Sequence, residues 1–326
     1  MVVIPVLLLL GVYLLTDPFK TLKPFSLQYF DNTNRDYLST ELFLKNYPIF
    51  RYDSFIFGSS KAGGLNTYHW LKYLPENSRQ FMFQAWSETL TGIEQKISYI
   101  DEIDGDIKNA IILIDIPGTF SERQLPTGAL AIKNYKLSGQ SKISYQALLF
   151  WNFMQKPSLW FTSAKEKIEG SNIYVGFDTI SNDWFGNNSR VDINVQPVKD
   201  SLSNCSALSR KMFLSEVSMK TDADLWESQV LISAAFKEQL LRIKSVFEKH
   251  GTDYRIIVSP DYCYSFPSIN RQDLTVLQEI FGKQFVFNYS GKNELTENCY
   301  NFADPIHFGQ SVGWQIIEDV YNPNGK

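Results

Sequence analysis

Cysteine and histidine are scarce in this chain of 326 residues, with three of each. Cys205, Cys263 and Cys299 form no CxxC pair, and no HExxH occurs. The usual zinc spacings are therefore missing, and neither a metal nor a cofactor is expected. Three cysteines make no disulfide framework. Cys263 and Cys299 each follow a predicted strand by several residues, so a disulfide and two separate core thiols both stay open. The net charge is −4 and no block of Lys or Arg occurs, which argues against nucleic acid as a partner. No internal repeat or low-complexity tract is visible. What is present is the material of a folded globule: 44% hydrophobic and 20% charged residues. Aromatics reach 15%. They line grooves for sugars or lipids in some proteins, and pack cores in more.

The N-terminus, Met1-VVIPVLLLLGVYLL-Thr16, is uninterrupted apolar sequence followed by Asp17-Pro18. It falls short of the roughly 20 residues of a spanning helix and has the length of a signal-peptide core. No small-x-small cleavage site follows it and no basic residue precedes it. A buried helix at the extreme terminus is the weaker reading. The favoured one is an uncleaved transmembrane anchor whose start lies upstream of Met1 as numbered here, with a cleaved signal as the alternative. Either places the folded part outside the cytoplasm, on the periplasmic or cell-surface side, with the first variant held to the membrane.

Residues 17–50 read as a lead-in with a helical piece near Tyr37–Asn46. Strand candidates follow at Asp53-SFI-Phe57, Gln80-FMF-Gln84, Asn109-AIILI-Asp115, Tyr254-RIIV-Ser259 and Gln284-FVF-Asn288. Helical spacing separates them at 66–74, 92–103, 224–250 and 272–281, and a last helix runs from Gln310 to Tyr321. Strands alternating with helices predict parallel βαβ units. The fold class expected is α/β: a three-layer α/β/α, flavodoxin-like domain over 51–322 with a five-stranded parallel sheet. An insertion at about 121–222 interrupts it, with helical pieces at 143–153 and 162–168 and a polar stretch at 181–194.

Ligands of open parallel sheets bind beyond the carboxyl ends of the strands. Three polar sites fall there. Gly58-Ser59-Ser60 ends the first strand just ahead of a helix, where backbone N–H groups can hold an oxyanion; a plain turn or cap is the alternative. Asn301-FADPIHF-Gly309 lies between the last strand and the last helix. There Asp304 can orient His307 across three residues and leave its other ring nitrogen for Ser60. A helix start with Asp304 as N-cap and Pro305 at N1 is the competing reading. After the second strand, Ser87 and nearby amides are candidate oxyanion donors. Asp115 ends the third strand, either against substrate or as a cap. His69, in an aromatic helix, and His250, at a helix C-terminus, have packing and dipole explanations.

Tyr52-DSFIFGSSKAGG-Leu65 resembles the first block of the SGNH (GDSL-like) hydrolase superfamily, and Asp304-PI-His307 its closing D-x-x-H block. Asp253-YRIIVSP and Phe287-NYSGKNELT are similar to the membrane-anchored bacterial branch, which includes relatives of the D-alanyl-lipoteichoic-acid transfer protein and the alginate acetylation proteins. The likeness covers roughly residues 35–120 and 224–322. It implies Ser60 as nucleophile, His307 as base and Asp304 as its orienter. It also implies an acylated glycan or envelope polymer as substrate and a membrane-bound O-acyltransferase as partner. Ser59 stands where the block has Asp, and Ser87 where the second block has its oxyanion-donating Gly. Ile114-Asp115-Ile116-Pro117 replaces the third-block Gly-x-Asn, which removes a donor worth about 3 kcal/mol.

The function expected is an extracytoplasmic serine esterase or O-acyltransferase using a Ser-His-Asp acyl-enzyme mechanism, with Ser59, Ser87 and Asp115 lining the substrate. The alternative is a non-catalytic envelope scaffold or glycan-binding module on the same fold. Chemistry at Asp115 without Ser60 ranks third.

Overall fold

In the computed structural model, residues 3–25, 34–121, 132–169, 176–184, 226–263 and 265–322 are described. In chain order the elements are α1 (Val3–Thr16), α2 (Arg35–Phe50), β1 (Ser54–Gly58), α3 (Thr67–Trp70), β2 (Gln80–Gln84), α4 (Leu90–Glu102) and β3 (Asn109–Ile114). They continue with α5 (Tyr135–Ser138), α6 (Lys142–Met154), α7 (Pro157–Glu169), α8 (Ala234–His250), β4 (Asp253–Val258) and α9 (Arg271–Phe281). The chain ends in β5 (Val286–Asn288), α10 (Glu294–Glu297), β6 (Phe302–Asp304), β7 (His307–Phe308) and α11 (Gln310–Tyr321).

β1 and β3 are buried at every residue, as continuous apolar runs in a doubly covered sheet should be. The sheet has five strands in the order β2-β1-β3-β4-β5, all parallel. Alternate residues of each strand serve opposite faces. Phe55 and Phe57 of β1, Phe81 and Phe83 of β2, and Ile112 of β3 pack with α2, α4, α8 and α9. Ile56, Met82, Ile111 and Leu113 face the other way, against α3 and α11. This is the three-layer α/β/α, flavodoxin-like architecture expected from the sequence. Strand order reverses between β1 and β3, so the ligand crevice of this fold lies at their carboxyl ends.

Much of the aromatic content is core. The ring of Phe43 in α2 meets those of Tyr47, Tyr52, Phe55, Phe81 and Phe83. The lead-in is therefore part of the domain, and buried polar contacts fix it. Lys96, fully buried, binds Glu88 and lies 3.0 Å from Asp36, while Lys133 reaches the other oxygen of Glu88. The open edge of β2 is covered as well: Met82 N–H donates to Ser181 O (2.7 Å), and Ser39 Oγ donates to Gln84 O (2.6 Å). Such cover keeps an edge strand from pairing with other chains.

Three expectations need correction. No helix among the described residues is long and apolar enough to cross a membrane. The expected transmembrane segment forms a helix of 14 residues, about 21 Å long at 1.5 Å per residue, against a hydrocarbon layer of about 30 Å. Its Tyr13 is buried against Phe150 and Phe153 of α6 and donates to Gln146 Oε1 at 2.7 Å, so one side of the helix packs on protein, while Ile4, Leu7, Leu8, Leu14 and Leu15 stay exposed. The helix expected from Asp224 begins only at Ala234: Asp273 accepts from the N–H groups of Leu231 and Ile232, and Ser233 caps at Phe236. Asn66 does cap α3, but after Trp70 the chain tightens into a 3-10 turn over Leu71–Tyr73. Within the expected insertion, α6 and α7 match the two helical pieces. Of the polar stretch only 181–184 belongs to the described residues; the rest of it and Cys205 lie outside them.

The last helix approaches the turn after β1 so closely that a Cβ on Gly313 would overlap the Gly64 carbonyl. Gly313→Ala raises helix propensity by about 1 kcal/mol, yet overpacking there costs ~1–3 kcal/mol. A net loss of unfolding free energy is therefore expected in urea titrations. A stabilised variant would contradict the contact.

Candidate active site

Ser60 begins a 3-10 turn over Ser60–Gly64, two residues beyond the end of β1, with Ser59 as its N-cap. The strand reaches this turn through Gly58, where a Cβ would press on Leu113 and Ala62. The N–H of Ser60 precedes the hydrogen bonds of the turn and has no partner within it.

His307 arrives from a hairpin. β6 and β7 pair antiparallel, with Phe302 opposite Phe308 and Asp304 opposite His307. Phe302 and Phe308 are buried in the core beside α11, which seats the hairpin at the same sheet edge as Ser60. Asp304 Oδ1 accepts from the backbone N–H groups of Ile306 and His307, each at 3.0 Å. Its Oδ2 lies 2.7 Å from His307 Nδ1. A carboxylate accepts, so Nδ1 carries the proton and Nε2 is left as an acceptor. Nε2 stands 2.9 Å from Ser60 Oγ. Partial burial would raise the Asp304 pKa, but the His307 hydrogen bond and the two backbone donors outweigh it and hold the group below the usual range. The helix-start reading of Asp304 does not apply, because α11 starts at Gln310 with Gly309 as its cap. Proton transfer requires hydrogen-bond reach, and a separation beyond about 6 Å would have broken the set.

The three other predicted residues divide. Ser59 is buried; its Oγ donates to Asp115 Oδ2 (3.2 Å) and accepts from Lys61 N–H (3.4 Å). Asp115 adjoins the site but faces cations and donors of the protein. Its Oδ1 lies 2.5 Å from Lys61 Nζ, and its backbone closes the turn at Thr119. Ser87 is exposed with a left-handed backbone (φ 51°), and among the described residues no hydrogen bond joins it to Ser60 or His307.

Two residues escaped the sequence reading. Lys61 and Asp261 form a buried ion pair of 2.6 Å directly behind the turn. Asp261 follows β4 by three residues, so the strand-end rule that selected Asp115 selects it too. Lys61 adjoins the candidate nucleophile in the chain, yet its side chain turns inward. Burial pushes Asp261 up to about 7, with Asp115 adding and Lys61 opposing. Burial lowers the Lys61 pKa, but the two carboxylates outweigh it and raise it overall.

Trp184 borders the turn on another side. Its ring would touch a Cβ on Gly63 at 3.4 Å, and its carbonyl accepts from Gln310 Nε2 at 3.2 Å. Trp184 is 43% exposed. The other histidines lie elsewhere. His69 stacks on Trp314, and burial lowers its pKa to about 4; His250 pairs with Asp101 at 2.7 Å. Cys263 is a free buried thiol. Among the described residues no group of three His, Cys, Asp or Glu is arranged to hold a metal ion.

No protein-family model and no curated protein matches the chain.

A carboxyl whose folded pKa is raised binds more protons folded than unfolded. From about pH 4 to about 7, Asp261 should therefore make stability fall as pH rises. Urea unfolding across this window should give a shallower decline in Asp261→Asn than in the wild type. Identical slopes would contradict the buried, raised carboxyl.

Proposed function

We propose that the chain is a serine esterase or O-acyltransferase that works through an acyl-enzyme on Ser60. The observation that carries this reading is the continuous relay from Asp304 Oδ2 to His307 Nδ1 (2.7 Å) and from His307 Nε2 to Ser60 Oγ (2.9 Å). Its position at the strand-order reversal of a flavodoxin-like sheet supports it, as does the resemblance of both blocks to the SGNH superfamily.

In this mechanism Ser60 Oγ attacks the ester carbonyl as His307 Nε2 takes the hydroxyl proton. The tetrahedral intermediate collapses, the C–O bond to the alcohol breaks, and the alcohol leaves with the proton from His307. Water or a sugar hydroxyl then attacks the acyl–Ser60 bond, giving its proton to His307, which returns it to Ser60 Oγ. Asp304 holds the tautomer and stabilises the imidazolium throughout. Oxyanion donation falls to the backbone N–H of Ser60 at the start of the 60–64 turn. An ionised Asp115 accepts and cannot donate.

The polymer substrate, the extracytoplasmic placement and a membrane-bound O-acyltransferase partner follow from the family resemblance. The exposed face of Trp184 beside the turn suits a sugar ring. The Ser59 hydroxyl already donates to Asp115, and Asp115 itself only accepts, which favours a second reading: a glycan-binding module without turnover, in which the oxyanion has few partners.

Ser60→Ala and His307→Ala should each lower hydrolysis of a p-nitrophenyl acyl ester by at least about 10³-fold while the fold is retained. Turnover by wild-type protein that survives Ser60→Ala would exclude the mechanism. Glycan binding by a wild type that turns over no ester would favour the module.

A further inference from the structure

The contacts behind the site close into a ring. From Ser60 the chain passes to Lys61, whose Nζ binds Asp261 Oδ1 at 2.6 Å. The next residue, Tyr262, donates its N–H to Pro305 O at 3.0 Å, inside the turn between Asp304 and His307. Asp304 then holds His307, and His307 reaches back to Ser60. A second strut anchors the same ammonium to the end of β3, through Asp115 Oδ1 at 2.5 Å, and Asp115 in turn accepts from Ser59. In this ring the loop carrying Ser60 and the loop after β4 are joined through one nitrogen atom, Lys61 Nζ.

We propose that Lys61 is the positioning residue of the site, its ammonium spanning Asp115 and Asp261 so as to set the Ser60–His307 distance from behind. The side chain is 3% exposed, and both of its carboxylate partners are drawn toward it from separate strand ends. A solvated lysine would not choose this place, because burying an ammonium is costly unless it is paired. Removing the charge leaves two carboxylates facing each other beside the turn, and their repulsion acts along the ring that fixes His307. The groups facing Asp261 are Lys61 from the 60–64 turn, Asp115 from the end of β3 and His307 from the hairpin. Protonation of Asp261 weakens the same strut, so its titration should be felt at His307.

The kinetic part of the test rests on the acyl-enzyme reading; the spectroscopic part does not. In ¹⁵N spectra of the full chain, wild-type His307 should show an Nδ1–H tautomer with a hydrogen-bonded Nε2. Lys61→Met should move the Nε2 resonance to its unbonded position while the rest of the spectrum stays folded. The wild-type His307 signal should also carry a second inflection near the Asp261 titration, and Asp261→Asn should abolish it. Where ester turnover is present, Lys61→Met should lower kcat by roughly 10–100-fold with KM changed less than about twofold, as expected for lost alignment. An unchanged Nε2 resonance in Lys61→Met would overturn the proposal. If Lys61→Met fails to fold, a second inflection that persists in Asp261→Asn overturns it instead. Ester turnover missing from the wild type beside a normal Nε2 response would count against the acyl-enzyme reading and leave the positioning role standing.

Discussion

The hydrogen bond between Ser60 Oγ and His307 Nε2 joins residues 247 positions apart. Neither partner can hold the other in place, because a single net hydrogen bond contributes only about 1 kcal/mol. The alignment has to come from the frame. On one side the frame is β1, buried at every residue and ending in a turn against which α11 packs. On the other it is a short hairpin whose two phenylalanines are sunk in the same core. Both deliver their polar tips to the edge where the parallel sheet reverses its strand order.

That edge concentrates charge to an unusual degree. Asp304, Asp115, Asp261 and Lys61 gather within one shell, and three of these groups are largely buried. Isolated, each of those three would cost several kcal/mol to desolvate, on the order expected for buried ions. Here every carboxylate has a cation or donors: Asp304 has the imidazole and two backbone amides, Asp115 has Lys61 and Ser59, and Asp261 has Lys61. A second cluster of the same kind, Lys96 with Glu88 and Asp36, ties the lead-in helix to the far side of the sheet. Both sets fix loops at strand ends, where apolar packing alone specifies geometry weakly.

The sheet was legible because each of its five strands carries an apolar run, continuous and buried at every residue in the central pair β1 and β3. The placing of Ser60 with Asp304 and His307 at one edge was read from their strand-end positions together with the resemblance of the two blocks. The hairpin of β6 and β7 was not, because two and three residues are too few to show a period of two. The start of α8 was misjudged because Asp273, far along the chain, takes the N–H groups of residues 231–232, which stay outside the helix. The N-terminal run was taken for an anchor because it is apolar; the structure docks its Tyr13 side on α6 and leaves Ile4, Leu7, Leu8, Leu14 and Leu15 exposed. Lys61 was passed over for a related reason: a lysine beside a glycine-rich turn reads as solvated, and only two distant aspartates make it buried.

Reaction with a fluorophosphonate, followed by peptide mapping of the adduct, tests the central claim most directly, because it asks whether the relay makes one hydroxyl nucleophilic. The account expects phosphonylation at Ser60 Oγ in the wild type and its loss in His307→Ala. Labelling that persists without His307, or that falls on another serine, would contradict it.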